Sequence, residues 1–304
     1  MTKQKIIAIT GPSSSGKTSL AINLAKETDG EIISVDSRQI YKELDIGSAK
    51  PSIEERKDIV HHLLDIIDVT QGYTVADFCD DAKQIIKDII LRGKIPILAG
   101  GTGLYFRVLL QDYDLPRATP DKELRKKLES KTSEELYSRL QELDLEISKK
   151  IHFNNKVKII RAIEVCLQLG IPMSKAQKKK ESEYDTLWFG LNAEKREFLY
   201  ERINKRVDIM FQQGLLDEAK YLFNKYGENK ILTQTIGYQE LLPFLKGETD
   251  FETAAGLLKQ NTRRYAKRQI SWFNANKDIR WFDIESTTQD DILKEIINTY
   301  KNSR

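Results

Sequence analysis

The sequence GPSSSGKT at residues 11–18 has the spacing of a phosphate-binding loop. Its glycines allow backbone N–H groups to converge on phosphate oxygens, and the N-terminus of the following helix adds a favourable dipole. The side chain of Lys17 supplies a positive charge, and the hydroxyl of Thr18 can ligate Mg²⁺. The motif accepts a diphosphate as readily as a nucleoside triphosphate, so it does not identify the reaction that the protein catalyses. We expect the phosphorylated ligand to be bound by Gly11, Ser13, Ser14, Ser15, Gly16, Lys17 and Thr18.

A second group of polar residues follows the apolar segment EIISV, and it comprises Asp36, Ser37, Arg38 and Gln39. Nucleotide hydrolases of this type hold Mg²⁺ with an acid at the end of another strand, but IPILAG leads into GGTGLY, which has no carboxylate. Asp36 could instead ligate a metal, cap a helix or accept a proton. A glutamine amide can pair with adenine, and an arginine can stack on a base or bind phosphate. A proton acceptor beside such groups suggests chemistry on a nucleobase.

The hydrophobic pattern predicts an α/β fold, a P-loop NTPase-like parallel sheet flanked by helices, with a mainly helical insertion. Strands are expected at KIIAIT, EIISVD, residues 63–69, IPILAG, TLWFGL and IRWFDI. Helices are expected at residues 17–27, 74–91 and 155–170, with further helix starts at Thr119 and Thr132. We therefore predict a core in two parts, residues 1–115 and 186–304, separated by a helical insertion at residues 116–185.

Charge is concentrated in two parts of this chain of 304 residues, whose formal net charge is only +3. Residues 149–180 contain nine Lys or Arg against the single acid Glu164, and residues 259–280 contain seven against Asp278. These two basic segments indicate a polyanionic partner, although solvated helix faces would give the same pattern. The short first apolar run, the lack of a membrane-length segment and two widely separated cysteines favour a cytoplasmic protein.

Eight segments, taken in order, resemble those of the tRNA dimethylallyltransferases, also called tRNA isopentenyltransferases. The resemblance runs from Gly11 to about Phe273, and the DSxQxYxxxDIGxAKP block is specific to that family. Ser13 and Ser14 stand where Thr-Ala is commoner, and Lys158 stands where many members carry arginine, whose planar fork a lysine cannot reproduce. The segments are GPSSSGKT, DSRQIYKELDIGSAKP, HHLLDI, GGTGLY, NNKVKIIRAIEV, RINKRVDIMFQQGLLDE, IGYQE and TRRYAKRQISWF.

The resemblance implies transfer of a dimethylallyl group from dimethylallyl diphosphate to the exocyclic amine of the adenine 3′-adjacent to the anticodon in tRNA, with release of diphosphate. Asp36 matches the family's general base, and Thr102 matches a residue that hydrogen-bonds near the reacting groups. Lys17, Arg206 and Mg²⁺ on Thr18 would stabilise the departing diphosphate.

The resemblance also implies that the target adenine is flipped out of the anticodon stem-loop, and we expect a monomer that needs no protein partner. Two other hypotheses remain: a P-loop kinase of a nucleoside or small metabolite, and an RNA-binding P-loop module switched by a nucleotide. Neither of these two functions would require the sequence block at residues 36–51. RNA contacts are implied for Asp36, Ser37, Arg38, Gln39, Thr102, Arg125, Val157, Lys158, Ile159, Ile160, Arg161, Gly237, Tyr238, Gln239, Arg263, Arg264, Lys267 and Arg268.

Overall fold

A computed structural model of the chain describes residues 3–111, 116, 118–119, 121–176 and 182–303. Lys178, Lys179 and Lys180 of the first basic segment lie outside these residues. The chain divides into a larger unit, residues 1–110 with 183–304, and a smaller unit, residues 111–182. The predicted insertion, residues 116–185, falls largely within the smaller unit.

The larger unit is built on a parallel sheet of six strands, which confirms the predicted α/β fold. The strands are β1 (Gln4–Thr10), β2 (Gly30–Val35), β3 (His61–His62), β4 (Ile95–Gly100), β5 (Tyr184–Asn192) and β6 (Arg280–Asp283). Their order in the sheet is β3-β2-β4-β1-β5-β6. Because β1, β2 and β4 are neighbours and run in the same direction, the segments that follow them meet at one edge of the sheet.

The third strand differs from the prediction, because residues 63–69 do not form one and β3 is confined to His61–His62. Leu63 and Asp65 have φ angles of 59° and 56°, a left-handed conformation that interrupts an extended backbone. Beyond β3, a single bridge joins Ile67 to Tyr41. Leu63 and Val69 are still buried, so their apolar character reflects packing rather than strand pairing.

Fifteen helices are present in the described part of the chain. The capping box of Thr74 with Asp77 starts the third of them as predicted. None of these helices is long and apolar enough to cross a membrane. They are α1 (Lys17–Thr28), α2 (Ile53–Arg56), α3 (Val75–Leu91), α4 (Gly103–Leu110), α5 (Lys122–Glu129), α6 (Ser133–Leu143), α7 (Leu145–Ser148), α8 (Lys156–Leu169), α9 (Met173–Ala176), α10 (Arg196–Gln212), α11 (Leu215–Tyr226), α12 (Lys230–Thr233), α13 (Leu242–Leu245), α14 (Phe251–Phe273) and α15 (Gln289–Asn302).

Helices cover both faces of the sheet and thereby hold the segments at its carboxyl edge. On one face, α1 and α15 pack around Ile9 of β1 and Leu191 of β5. On the other face, α3 and α4 bury Phe78 and Phe106. A further apolar cluster around Tyr238 joins α10, α11 and α14 to the segment that follows β2. Burial of this apolar surface is the main source of the stability of the unit.

The smaller unit consists of α5 to α9 and has its own apolar core, which includes Leu136 and Leu140. Helix α8 begins after its cap Asn155 and ends at Gly170, as predicted. The predicted helix start at Thr119 is wrong, because α5 begins after Asp121. The Asp121 carboxylate accepts a hydrogen bond from the Leu124 N–H at 3.0 Å, which satisfies the first turn of the helix.

Candidate active site

The phosphate loop connects β1 to α1, and Gly16 caps the helix with a φ of 92°. A side chain at Gly11 would place its Cβ 2.3 Å from the Leu191 carbonyl oxygen, so only glycine fits against β5. The N–H groups of Gly16, Lys17 and Thr18 belong to the first turn of α1, where no helical acceptor is available. The buried hydroxyl of Ser14 has no hydrogen-bond partner among the described residues. Unused donors around a helix N-terminus suit a bound anion.

Lys17 folds back onto its own loop. Its Nζ donates to the Pro12 carbonyl oxygen at 2.6 Å and lies 3.4 Å from the Ser15 hydroxyl. Burial, followed by the positive charge of Arg206, lowers the pKa of Lys17 from 10.5 to about 7, although the Asp36 carboxylate acts in the opposite direction. An anion bound in the loop would favour the charged ammonium and raise this pKa again.

Helix α10 directs two arginines, Arg202 and Arg206, towards this region. The Arg206 guanidinium donates to the Ala49 carbonyl oxygen at 3.3 Å, and burial lowers its pKa. Arg202 donates from Nε to the Ser14 carbonyl oxygen at 2.9 Å. Sequence reasoning identified Arg206 and missed Arg202, although residues four apart lie on the same face of a helix. Arg202 is exposed at the phosphate loop, so its charge is available to a ligand there.

Asp36 follows β2 and stabilises the turn after it. Its Oδ1 accepts the N–H groups of Arg38 at 2.8 Å and Gln39 at 3.3 Å, so this oxygen caps a turn. Its Oδ2 has no donor among the described residues. Thr102 supports the same turn, because its Oγ1 accepts the Ser37 N–H at 3.1 Å. The capping role of Asp36 is therefore compatible with proton acceptance by its second oxygen.

Two tyrosines, Tyr105 and Tyr265, are close enough to Asp36 for its charge to affect their pKa. Burial, followed by the negative charge of Asp36, raises the pKa of Tyr265 to about 12, and the Tyr265 hydroxyl interacts with Thr102. Burial also raises the pKa of Tyr105, with a contribution from Asp36. Both phenols are neutral at pH 7, because burial and the nearby negative charge oppose their ionisation.

The segment at residues 36–51 is fixed by contacts within the larger unit. The Glu218 carboxylate accepts the N–H groups of Ile46 at 2.8 Å and Gly47 at 2.9 Å, and the Tyr238 hydroxyl at 2.7 Å. The Gln39 amide accepts from the Ser34 hydroxyl at 3.0 Å and donates to the Ala49 carbonyl oxygen at 3.1 Å. A bidentate pair between this amide and an adenine, as predicted, would require both bonds to be released.

Apart from Thr102 and the turn at residues 36–39, described above, the residues of the larger unit that we predicted to contact RNA fall into two groups. Those around Gly237 are internal: Tyr238 is fully buried, and Glu240 accepts hydrogen bonds from the Gly237 N–H at 2.9 Å and the Gln239 amide at 2.5 Å. Arg263 also has an internal partner, Asn204. The remaining residues lie on an exposed face of α14 and line a depression of about 560 Å³, formed by Arg264, Lys267, Arg268, Ser271 and Trp272.

The predicted RNA contacts of the smaller unit divide in the same way. Ile159 and Ile160 are buried in its core, so their side chains serve packing and do not face a ligand. Arg125 and Arg161 both bind the buried Glu164, with N–O distances of 2.8 Å and 2.5 Å. The single acid of the basic segment is therefore paired with two arginines that we assigned to RNA, and its one negative charge offsets half of their positive charge. Val157 and Lys158 are exposed.

Three comparisons with known proteins agree. The IPP transferase family matches residues 39–276. The tRNA dimethylallyltransferase of Halothermothrix orenii is 46% identical, over 96% of this chain and 91% of that protein. The tRNA isopentenylpyrophosphate transferase of Bacillus halodurans has a similar structure, with a TM-score of 0.75 and 39% identity over 99% of this chain and 96% of that one.

A eukaryotic dimethylallyltransferase acting on tRNA also has a similar structure, with a TM-score of 0.86 and 31% identity over 99% of this chain and 80% of that one. These relatives support the transferase over the kinase and over the nucleotide-switched module. The sequence blocks, the phosphate loop and the near-complete coverage of these relatives lead to one conclusion. The chain belongs to the IPP transferase family, which includes the tRNA dimethylallyltransferases.

Proposed function

We propose that the protein transfers the dimethylallyl group of dimethylallyl diphosphate to the exocyclic amine of the adenine 3′-adjacent to the anticodon of tRNA. The observation that carries this proposal is the meeting of an anion-binding loop and a carboxylate at one edge of the sheet, in a chain of this family. The allylic C–O bond breaks, and its electron pair leaves with the diphosphate. A C–N bond forms, and the amine releases a proton.

Asp36 is the proposed acceptor of that proton. The adenine amine is a weak nucleophile because its lone pair is delocalised into the ring, so removal of its proton assists bond formation. Two backbone N–H groups hold Oδ1 of Asp36 and thereby orient Oδ2, which has no donor among the described residues. Thr102 keeps the turn in place through its hydrogen bond from Ser37.

The phosphate loop is the proposed site of the diphosphate. Negative charge accumulates on the departing diphosphate, and preorganised donors stabilise such charge most effectively. These donors are the N–H groups at the start of α1 and the side chains of Lys17 and Arg206. Arg202, which contacts Ser14 of the loop, is a third cation near the diphosphate.

Mg²⁺ is the proposed cofactor. The exposed Thr18 hydroxyl has no partner among the described residues, and these residues contain no group of three carboxylate, histidine or cysteine ligands. This fits a cation held by one side chain together with phosphate oxygens and water, as is common for Mg²⁺. When bound, Mg²⁺ would neutralise charge on the diphosphate.

The exposed basic face of α14 is the proposed contact surface for the anticodon stem-loop in the larger unit. Arg264, Lys267 and Arg268 can neutralise phosphates, and the 42% exposed indole of Trp272 offers a face on which a base can stack. In the smaller unit, Lys158 is an exposed cation to which we assign the same role. We place the protein in the cytoplasm as a monomer, where unmodified tRNA is available.

Mass spectrometry of tRNA incubated with the protein, Mg²⁺ and dimethylallyl diphosphate tests the proposal. We expect each tRNA that is a substrate to gain one five-carbon unit, located on the adenine beside the anticodon, without added ATP. A control with inorganic pyrophosphate in place of the donor should leave the mass unchanged. Unmodified tRNA in the complete reaction, at any donor concentration, would refute the proposal.

A further inference from the structure

Gln269 of α14 is a buried glutamine whose amide joins two segments of the larger unit. Its Oε1 accepts the Ser13 N–H at 2.9 Å, and its Nε2 donates to the Gly101 carbonyl oxygen at 3.0 Å. The two partners determine the orientation of the amide, because a reversed amide would place donor against donor and acceptor against acceptor. Gln269 therefore connects the phosphate loop with the turn that follows β4.

The fit between α14 and that turn is close. A Cβ at Gly101 would lie 2.1 Å from Nε2 of Gln269, and a Cβ at Gly103 would lie 2.1 Å from the Trp272 ring. Glycine at these positions is required because the side chains of α14 occupy the space of a Cβ. Thr102, between the two glycines, is consequently held at a defined distance from α14.

Hydrogen bonds continue from this turn to the proposed base. The Thr102 N–H donates to the Val35 carbonyl oxygen at 3.2 Å, and its Oγ1 accepts the Ser37 N–H at 3.1 Å. Ser37 follows Asp36 directly in the chain. A continuous connection thus runs from Ser13 through Gln269 and the turn to the carboxylate.

We propose that Gln269 is a positioning residue for dimethylallyl transfer, which sets the distance between the diphosphate in the loop and Asp36. This inference rests on the proposed function. The allylic carbon is fixed by the diphosphate, whereas the adenine amine must lie within reach of the carboxylate that takes its proton. The allylic carbon and the amine nitrogen react only when they are about 3 to 3.5 Å apart. A misplacement of about 1 Å can lower the rate about 100-fold.

Gln269→Leu removes the amide while it keeps a side chain of similar volume. We expect the single-turnover rate per active site to fall about 100-fold. The affinities for inorganic pyrophosphate and for an anticodon stem-loop should remain within about threefold of those of the wild-type protein, because the binding groups themselves are intact. Binding of both probes also counts the folded sites, so a loss of folded protein is not mistaken for a slower reaction.

Gln71→Leu is the matched control, since Gln71 is an exposed glutamine of the larger unit whose amide oxygen accepts the Asp68 N–H at 2.8 Å. Its single-turnover rate should equal that of the wild-type protein. A Gln269→Leu rate equal to that of Gln71→Leu would overturn the inference.

Gln269→Glu provides a readout that a purely structural role would not produce. An ionised carboxylate can accept the Ser13 N–H but repels the Gly101 carbonyl oxygen, whereas a protonated carboxyl can donate to it. Burial favours the protonated form. The rate of this variant relative to the wild-type protein should therefore rise as the pH falls from 8 to 6, and the relative rate of Gln269→Leu should not. Lys17, Asp36 and Tyr265 are present in all three proteins, so the comparison with Gln269→Leu controls for their contributions to the rate.

A Gln269→Glu rate at pH 6 that is no higher than the Gln269→Leu rate would refute the positioning role. The two proposals fail in different ways. If the wild-type protein leaves tRNA unmodified, the proposed function is wrong. If the wild-type protein is active and the Gln269 variants match it, only the positioning role is wrong.

Discussion

Replacement of Lys17 by methionine should stabilise the ligand-free protein while it prevents donor binding. In the folded chain the pKa of Lys17 is lowered from 10.5 to about 7, chiefly because the ammonium is buried. The unfolded chain, in which the side chain is solvated, has the ordinary pKa. Each unit of difference corresponds to about 1.4 kcal/mol. The charged form is therefore disfavoured by about 5 kcal/mol in the folded state, an upper bound because part of the Lys17 side chain remains exposed.

The pH dependence follows from proton binding in the two states. Below pH 7 both states carry the proton, and the full cost of burying the charge opposes folding. Between pH 7 and 10.5 the unfolded state binds more protons than the folded state, so the stability of the wild-type protein rises with pH. The stability gain of Lys17→Met should therefore decrease by about 3 kcal/mol, from about 5 kcal/mol at pH 6 to about 2 kcal/mol at pH 9.

Urea unfolding of both proteins at several pH values between 6 and 9, without Mg²⁺ or diphosphate, measures this difference. Lys26→Met is the matched control, because Lys26 is exposed on the same helix and its replacement should change stability equally at every pH. Inorganic pyrophosphate should stabilise the wild-type protein and not Lys17→Met. A difference between the wild-type protein and Lys17→Met that is constant across this pH range would show that Lys17 stays charged in the folded state and would refute the reasoning.

Three further outcomes are expected. Asp36→Asn should lower turnover about 100-fold with both substrates still bound, and recovery at high Mg²⁺ would instead identify Asp36 as a metal ligand. Arg202→Ala should weaken pyrophosphate binding about tenfold in a calorimetric titration, because it removes a charged donor beside the loop, and an unchanged affinity would exclude Arg202 from the site. Lys267→Ala with Arg268→Ala should reduce the slope of log Kd against log salt for an anticodon stem-loop by about 1.4, at about 0.7 per phosphate contact. The exposed pair Lys294→Ala with Lys301→Ala on α15 should leave that slope unchanged, and equal slopes for the two double variants would remove α14 from the RNA surface.

Local sequence patterns were sufficient for the elements that depend on neighbouring residues. The phosphate loop, the strand IPILAG and the helix that starts at Thr74 were predicted correctly, because glycine placement, apolar runs and capping boxes act over a few residues. The prediction of a strand at residues 63–69 was wrong because it also relied on a local apolar run. An apolar run records burial, and burial is compatible with the left-handed turns found at Leu63 and Asp65.

The charge pattern of the sequence did not predict which charged side chains are paired in the folded protein. The sequence presents Arg125 and Arg161 as free cations in a basic segment, but both bind Glu164, whose carboxylate is completely buried. A buried carboxylate needs such partners, since isolating it from water would be very costly. The sequence alone gives the number of charges, whereas packing decides which of them remain available to a partner.

The amino-acid sequence by itself determined the family, the parallel α/β fold and the two chemical centres of the site, the phosphate loop and Asp36. The tertiary structure decided how these centres are joined. Gln269 contacts Ser13 across 256 residues, and Arg202 contacts Ser14 across 188. No periodicity or short motif reports such contacts, because the chain brings these residues together only when the apolar faces of α10 and α14 are buried against the rest of the larger unit.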